Sequence, residues 1–150
     1  MKPNRAILLV EDNPADIKIT ERALRGSSIP VQLIVVRDGQ EAVDYLLRQG
    51  DYATNESWRD PDIILLDLNL PRLSGREVLE RIRATPILRP VPVIVLTTSR
   101  RYEDVQEVYA AGANTYIEKP NDFNRFVEVL QTIQHYWLET ALLPSINRPC

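Results

Sequence analysis

Cysteine is nearly absent from this chain of 150 residues, since the one cysteine is Cys150, the last residue. An intrachain disulfide is therefore impossible, and we expect a protein of a reducing compartment. No apolar run approaches the roughly 20 residues that a membrane-spanning helix needs. The apolar run near the N-terminus is short and is followed by two acidic residues, which does not suit a signal peptide. These absences exclude a disulfide scaffold, and we expect a cytoplasmic protein that does not enter a membrane.

Positive charge is also scarce. The chain has 18 Lys and Arg against 21 Asp and Glu, which gives a net charge of −3 at pH 7 and a pI of about 5.2. A protein that binds nucleic acid electrostatically carries an excess of basic residues. The composition therefore argues against a nucleic-acid-binding protein, and the length suits one domain with a single core.

What the chain does contain is an alternation of short apolar runs and longer segments of helical periodicity. The strand candidates are 6–10, 31–36, 63–66, 91–96 and 115–118. The helix candidates are 14–25, 40–50 with Gly50 at its end, about 74–84, 102–111, and a last one that begins near 122. Runs that are apolar without alternation are typical of parallel strands covered on both faces. With right-handed crossovers, the pattern predicts an open, doubly wound α/β sheet.

Charged and hydroxyl side chains follow the predicted strands, at the edge where open α/β sheets form their sites. They are Glu11 and Asp12 after the first strand, Asp67 and Asn69 after the third, Thr97 after the fourth and Lys119 after the fifth. Two carboxylates ~4 Å apart repel by roughly 4 kcal/mol at an effective dielectric of ~20. A hard divalent cation such as Mg²⁺ would relieve this repulsion. Between the metal and Lys119, Asp67 is placed to accept a phosphoryl group as a nucleophile.

Each of these acids also has a simpler interpretation. Asp12 precedes a helix and could be its N-cap, and Asp67 could be a solvated residue at a strand end. The placement of all of them at neighbouring strand ends, together with Thr97 and Lys119, favours a common site over these separate explanations.

Four segments, in this order, resemble the receiver domains of two-component response regulators: "LLVEDNP" at 8–14, "LLDLNLPRLSG" at 65–75, "VIVLTTS" at 93–99 and "YIEKP" at 116–120. The resemblance covers about residues 5–135. It implies a flavodoxin-like (βα)5 fold whose five parallel strands have the order 2-1-3-4-5. It also implies a receiver domain at 5–137, which leaves 138–150 as a C-terminal extension.

The resemblance implies a role for each residue at the strand ends. Asp67 would be the phosphoacceptor that takes phosphate from a phosphohistidine on a sensor histidine kinase. Thr97 would move its hydroxyl onto the phosphoryl group, Lys119 would pair with another phosphoryl oxygen, and Tyr116 would turn inward as the aromatic switch. The Mg²⁺ (or Mn²⁺) ligands would be Asp67, Asp12 directly, Glu11 through water and Asn69 through its backbone carbonyl.

Some details of the site also follow from the resemblance. It implies a cis peptide bond before Pro120, and it places Asn69 and Ser99 beside the path of a hydrolytic water. Glu11 stands where many members of the family have Asp, and Thr98 stands where a small residue is usual. Neither departure breaks the site.

The polar loop at 50–61 and the segment after the last helix are similar to single-domain regulators encoded beside bacterial phytochromes. The resemblance therefore implies a signalling protein, not an enzyme, with autodephosphorylation as its only intrinsic chemistry. Its partner would be a sensor histidine kinase, with bacterial phytochromes as candidates. A lone helix histidine such as His135 is ordinarily a surface residue, so we expect the phosphoryl donor to lie on another molecule.

The last helix predicts an apolar stripe that faces the core. The stripe consists of Phe123, Phe126, Val127, Leu130, Ile133 and Trp137. Further apolar residues lie beyond it: Val129, Tyr136, Leu142 and Leu143. Two explanations remain open for these: a tail that packs on its own domain, or a homodimer through helix four, strand five and helix five, including Tyr109.

Three other functions compete with a phosphorylated receiver. A haloacid-dehalogenase-like phosphohydrolase also uses an aspartyl phosphate, but it needs a second aspartate two residues after the nucleophile, where this chain has Asn69. A flavodoxin-like binding module needs a loop rich in Gly, Ser and Thr after the first strand, where this chain has "EDNPAD". A pseudo-receiver, folded alike and never phosphorylated, would not need the complete site.

Overall fold

The computed structural model describes residues 5–146; residues 1–4 and 147–150, and with them Cys150, lie outside the described part. A parallel sheet lies between two layers of helices. The strands are β1 (Arg5–Val10), β2 (Val31–Val36), β3 (Ile63–Leu66), β4 (Val93–Thr97) and β5 (Thr115–Glu118). The helices are α1 (Pro14–Arg25), α2 (Gly39–Leu47), α3 (Gly75–Ala84), α4 (Tyr102–Ala110) and α5 (Phe123–Gln134).

The sheet has the strand order β2-β1-β3-β4-β5, and every pair of neighbouring strands is parallel. The predicted doubly wound, flavodoxin-like fold is therefore confirmed. The three central strands are almost wholly buried, whereas the edge strands β2 and β5 are mostly half-buried. The strand order thus brings the carboxyl ends of β1, β3, β4 and β5 side by side.

Helices cover both faces of the sheet, which explains why the strands are apolar without alternation. In β3, Ile63 and Leu65 pack with the core of α1 and α5. Ile64 and Leu66 pack on the opposite face, with the core of α2, α3 and α4. Successive side chains of a strand point to opposite faces, so each residue of a central strand enters one core or the other.

Local residue chemistry accounts for most helix starts. Asn13 caps α1, accepting hydrogen bonds from the backbone N–H groups of the first turn, and Pro14 occupies the first helical position. Ser74 and Glu77 form a reciprocal capping box at the start of α3. These caps set the directions in which the chain leaves the strand ends.

Two predicted elements have wrong boundaries. The second helix does not run to Gly50: it ends at Leu47, and Arg48 forms the left-handed cap with φ 55°. Gly50 instead begins a short 3-10 turn, Gly50–Tyr52. The fourth strand is Val93–Thr97 and not 91–96, because its pairing with β5 reaches Thr97.

The apolar stripe of α5 is confirmed at its centre and wrong at its start. Phe126, Leu130 and Ile133 are buried, but Phe123 is 45% exposed. Phe123 lies in the first turn, where the guanidinium carbon of Arg22 approaches its ring centroid at 5.9 Å. Val127 and Trp137 are half-buried against the core of α1 and α5.

A π-helical turn, His135–Thr140, continues α5. Beyond it, Leu143 packs against the core of α1 and α5, Ile146 packs against the core on the other face, and Leu142 is 99% exposed. The tail thus packs in part on its own domain. Between residues 5 and 146, every helix is too short or too polar to cross a bilayer.

Candidate functional site

The strand ends bring Glu11, Asp67, Thr97 and Lys119 to one edge of the sheet. Val10 pairs with the last residue of β3, and the backbone N–H of Asp67 donates to the Val10 carbonyl at 3.1 Å. The N–H of Lys119 donates to the Thr97 carbonyl at 2.7 Å. Backbone hydrogen bonds of the sheet therefore place these residues relative to one another.

Lys119 lies at the centre of the acidic groups. Its Nζ donates to Glu11 Oε1 at 2.5 Å, Asp16 Oδ2 at 2.9 Å and Asp67 Oδ2 at 3.2 Å. Lys119 and Asp67 are each 7% exposed and Glu11 is 3% exposed, so water screens these ion pairs weakly. The ammonium group is thus held against the carboxylate that would accept phosphate.

Burial and neighbouring charges act in opposite directions on the pKa values of Glu11 and Lys119. Burial raises the pKa of Glu11 to about 7 because it disfavours the carboxylate, although the hydrogen bond from Lys119 acts in the other direction. Burial lowers the pKa of Lys119, but its hydrogen bonds to Glu11 and Asp16 outweigh that effect and the pKa is raised overall. We conclude that Lys119 stays charged and that its single positive charge is outnumbered by the acidic side chains around it.

The same edge has the ligands of a cation site. Carboxylate oxygens of Glu11, Asp12 and Asp67 lie within 4.8 Å of one another. Oxygen ligands of this kind suit Mg²⁺ or Mn²⁺. The Lys119 ammonium group contacts Glu11, Asp16 and Asp67, and Asp12 adds a further acidic side chain. The residues therefore fit a divalent cation electrostatically as well as by ligand type.

Asn69 is exposed beside this cluster, and its backbone N–H donates to Asp67 Oδ1 at 3.3 Å. That contact ties the turn after β3 to the second oxygen of the Asp67 carboxylate. The role of the Asn69 carbonyl as a metal ligand stays a prediction.

Thr97 and Tyr116, the residues predicted to form the switch, lie at the end of β4 and within β5. Thr97 is fully buried, and its Oγ1 has no hydrogen-bond partner among residues 5–146. The Tyr116 ring is half-buried, and its hydroxyl donates to the Ser99 carbonyl at 2.7 Å. A buried hydroxyl without a partner is costly, and a phosphoryl oxygen would supply the missing acceptor.

The structure adds one residue to the predicted site, decides one open alternative and corrects one expectation. Asp16 was not predicted, although its place in the first turn of α1, four residues after Asp12, was a usable signal. The cap of α1 is Asn13 and not Asp12, which leaves the Asp12 carboxylate exposed for other contacts.

No peptide bond between residues 5 and 146 is cis, so the expected cis bond before Pro120 is wrong. The trans bond still leaves Lys119 within reach of its three carboxylates.

Gly75 allows α3 to begin directly against the end of β3. A Cβ on Gly75 would lie 2.1 Å from the Asp67 carbonyl oxygen and 2.6 Å from Leu68 Cα. The N–H of Gly75 donates to the Leu68 carbonyl at 3.0 Å. Only glycine fits this close approach, which fixes the backbone on either side of Asp67.

Comparisons with known proteins agree with this geometry. The sequence model of the response regulator receiver domain family matches residues 7–131. The response regulator Rcp1 of Synechocystis sp. is 43% identical over 143 residues, which is 95% of each chain. The crystal structure of the phosphorylated cyanobacterial phytochrome response regulator RcpA superposes with a TM-score of 0.89 at 44% identity, over 94% of this chain and 99% of that one. The Mn²⁺-bound form of Rcp1 also has a TM-score of 0.89, at 42% identity over 94% and 99% of the two chains.

Proposed function

Since the chain belongs to the response regulator receiver domain family, we propose that it is a signalling protein that takes a phosphoryl group from a sensor histidine kinase onto Asp67. The observation that carries this proposal is the Asp67 carboxylate, 7% exposed, with Lys119 Nζ 3.2 Å from its Oδ2 and its other oxygen tied to the turn after β3. The Asp67 carboxylate is held in place, lies beside Glu11 and Asp12, and has the Lys119 ammonium group next to it.

In the transfer step, an Asp67 oxygen forms a bond to phosphorus as the bond between phosphorus and the kinase histidine breaks. The electron pair of the broken bond returns to the imidazole. Lys119 offsets the charge that accumulates on the phosphoryl oxygens, and the buried Thr97 hydroxyl donates to one of them. Protein residues supply mainly position and charge, since phosphoryl transfer needs little other chemistry from them.

A divalent cation is part of this proposal. Asp12 and Asp67 would hold Mg²⁺ or Mn²⁺, with Glu11 through water and the Asn69 carbonyl as further ligands. The bound ion would neutralise charge on the phosphoryl group. Rcp1 has been crystallised with Mn²⁺ bound, and the oxygen donors of this chain suit the same ion.

We propose a phytochrome-class histidine kinase as the partner, because RcpA is a phytochrome response regulator and aligns along almost the whole of this chain. Loss of phosphate would occur by intrinsic autodephosphorylation of Asp67. The receiver unit would comprise residues 5–137, with 138–150 as an extension.

A homodimer through α4, β5 and α5 is the proposed output state. Between β5 and α5 lies a groove of about 330 Å³, lined in part by Ile117, Val129, Tyr136 and Trp137. Tyr136 and Tyr109 on the same side of the domain are 52% and 46% exposed. These exposed apolar groups support a contact with a second copy.

Phosphotransfer from a purified phytochrome histidine kinase tests the proposed function. We expect wild type, with Mg²⁺, to take label from the kinase, and Asp67→Asn to take none. Asp51→Asn, which removes an exposed acid from the 3-10 turn, is the matched control and should label like wild type. Chelation of the divalent cation should abolish labelling of wild type.

Equal labelling of wild type and Asp67→Asn would contradict the proposed phosphoacceptor. An unlabelled wild type, tested with several histidine kinases and with acetyl phosphate, would instead indicate a pseudo-receiver.

A further inference from the structure

A cavity of about 250 Å³ lies between α3 and α4, next to the phosphoacceptor strand. Asn69, Ser99 and Asp104 are among its lining residues. Because the N–H of Asn69 donates to Asp67 Oδ1 at 3.3 Å, this residue joins the cavity to the phosphoacceptor. A water molecule occupies about 30 Å³ of liquid, so the cavity has room for several waters.

Ser99 is held in this cavity by its side chain and by its main chain. Its Oγ donates to Asp104 Oδ2 at 2.5 Å, and its carbonyl accepts the Tyr116 hydroxyl at 2.7 Å. Asp104 is half-buried in the first turn of α4, three residues after the N-cap Arg101. Strand β4, helix α4 and strand β5 thus all fix the position of Ser99.

The Ser99–Asp104 hydrogen bond determines whether the Ser99 hydroxyl can donate or accept a further hydrogen bond. A serine hydroxyl has one proton to donate and two lone pairs that accept. Ser99 donates that proton in a hydrogen bond to the Asp104 carboxylate, which is a charge-assisted contact. Ser99 Oγ also accepts a hydrogen bond from the Arg101 backbone N–H at 3.4 Å, so one acceptor lone pair remains for water in the cavity.

We propose that Asp104 is a positioning residue for hydrolysis of phosphorylated Asp67. By holding the Ser99 proton, it makes Ser99 Oγ accept a hydrogen bond from the attacking water and so orients the lone pair of that water towards phosphorus. This inference rests on the proposed function, since it concerns the lifetime of the phosphoryl group on Asp67. It assigns that lifetime to a residue of α4 that does not touch the phosphoryl group.

The hydrolysis step is balanced without any other reactant. The water oxygen forms a bond to phosphorus, and the bond between phosphorus and the Asp67 oxygen breaks. Its electron pair returns to the carboxylate, and both protons of the water leave with the product H₂PO₄⁻. Asp104 and Ser99 orient the water and are unchanged at the end of the step.

The test measures the decay of phosphorylated protein after removal of the kinase, in wild type and in Asp104→Ala. We expect Asp104→Ala to lengthen the lifetime about tenfold, a ratio that one hydrogen bond to a charged group can supply. Asp104→Asn keeps a neutral acceptor, so its lifetime should lie between the two. Glu103→Ala, which removes the exposed neighbouring acid of the same helical turn, should decay like wild type.

A double-substitution cycle with Ser99→Ala separates positioning from a merely structural effect. If Asp104 acts through Ser99, Asp104→Ala should add nothing to the lifetime of the Ser99→Ala protein. The rate at which the variants take phosphate from the kinase should stay within about twofold of wild type, because acquisition does not use the cavity water.

Two results would overturn the inference: an Asp104→Ala lifetime equal to that of wild type, or full additivity of the two substitutions. In both cases the wild type would still be labelled at Asp67, and the proposed function would stand. A wild type that takes no label would remove the proposed function and this inference together.

Discussion

At the scale of single residues, Thr97 shows how a functional group can cost stability. Its side chain is fully buried, and Oγ1 has no partner within the described part of the chain. Burying a hydroxyl without a hydrogen bond costs about 1–3 kcal/mol in proteins. The unphosphorylated protein is destabilised by this amount at the position where a phosphoryl oxygen would be the acceptor.

We therefore expect Thr97→Val, which replaces the hydroxyl by a methyl group, to raise the free energy of unfolding by about 1 kcal/mol. Urea denaturation of the unphosphorylated protein measures this change. Thr98→Val, at the exposed next residue, is the control and should change stability by less than about 0.5 kcal/mol. A Thr97→Val protein less stable than wild type would mean that the hydroxyl has a partner in solution.

Gly75 illustrates the opposite case, a residue with no side chain that positions the site. We expect Gly75→Ala to lower the free energy of unfolding by at least about 2 kcal/mol, because its Cβ would overlap the Asp67 carbonyl oxygen. Phosphorylation of Asp67 should slow at the same time, since the strand end must shift to make room. Thermal unfolding and a labelling time course measure the two effects.

Gly26 offers a matched control for that substitution. It follows α1 with φ −83°, and a Cβ there would meet only the Ala23 carbonyl oxygen, at 4.0 Å. Gly26→Ala should therefore leave both stability and labelling close to wild type. Equal losses in the two alanine variants would contradict the close approach of α3 to Asp67.

At the scale of elements, the loop at 50–61 is a packed addition to α2. The Trp58 Nε1 donates to the Tyr45 carbonyl at 2.9 Å, and the guanidinium carbon of Arg48 lies 4.9 Å from the Trp58 ring centroid. The Tyr52 ring meets the Tyr45 ring edge to face at 4.9 Å, and its hydroxyl donates to Glu41 Oε1 at 3.2 Å. The loop therefore adds an aromatic cluster to the end of α2 and also reaches back to its first turn.

This packing predicts a loss of stability in alkali. Burial, followed by the charge of Glu41, raises the pKa of Tyr52 to about 12 from the usual value of 10. A raised acid pKa means that the unfolded chain releases the proton first, so stability is kept below pH 10 and falls as the pH rises towards 12. Denaturation at pH 9, 10 and 11 should show this fall.

The variant that checks the source of this effect is Tyr52→Phe. It should reduce the fall in stability without removing it, because burial also raises the pKa of Tyr45. An unchanged alkaline profile in Tyr52→Phe would mean that the loop does not bury the Tyr52 hydroxyl.

At the scale of the whole molecule, exposed aromatic surface lies on the side formed by β5 and α5. Tyr136 is 52% exposed and stacks edge to face on Trp137 at 5.2 Å. The Tyr109 hydroxyl accepts a hydrogen bond from the Tyr116 backbone N–H at 3.1 Å. A second copy on this side would therefore contact α4 and α5 close to the residue proposed as the switch.

We expect the phosphorylated protein to sediment as a dimer at micromolar concentration. Tyr136→Glu should shift it towards monomer, because a charge would be buried at the centre of the contact. Ala84→Glu adds the same charge at the exposed end of α3 and should leave the dimer intact. Monomers alone, with or without phosphate, would remove the proposed dimer.

The order of the elements and most of the site follow from residue patterns along the chain. Five short apolar runs, each followed by a helical segment, predict a parallel sheet because strand burial and helix periodicity are local patterns. The rule that sites lie at the carboxyl ends of parallel strands then selected Glu11, Asp67, Thr97 and Lys119. The structure places these residues at that edge, with Lys119 paired to both of the acids in this set.

Contacts between residues that no local pattern connects follow from the three-dimensional fold alone. Asp16 contacts Lys119, which lies 103 residues further along the chain, because the start of α1 is close to the end of β5. Ser99 and Asp104 both belong to the predicted region of strand four and helix four, yet their hydrogen bond depends on the path of the loop between them. Residue patterns report which face is buried, whereas such contacts depend on the directions in which whole elements leave the sheet.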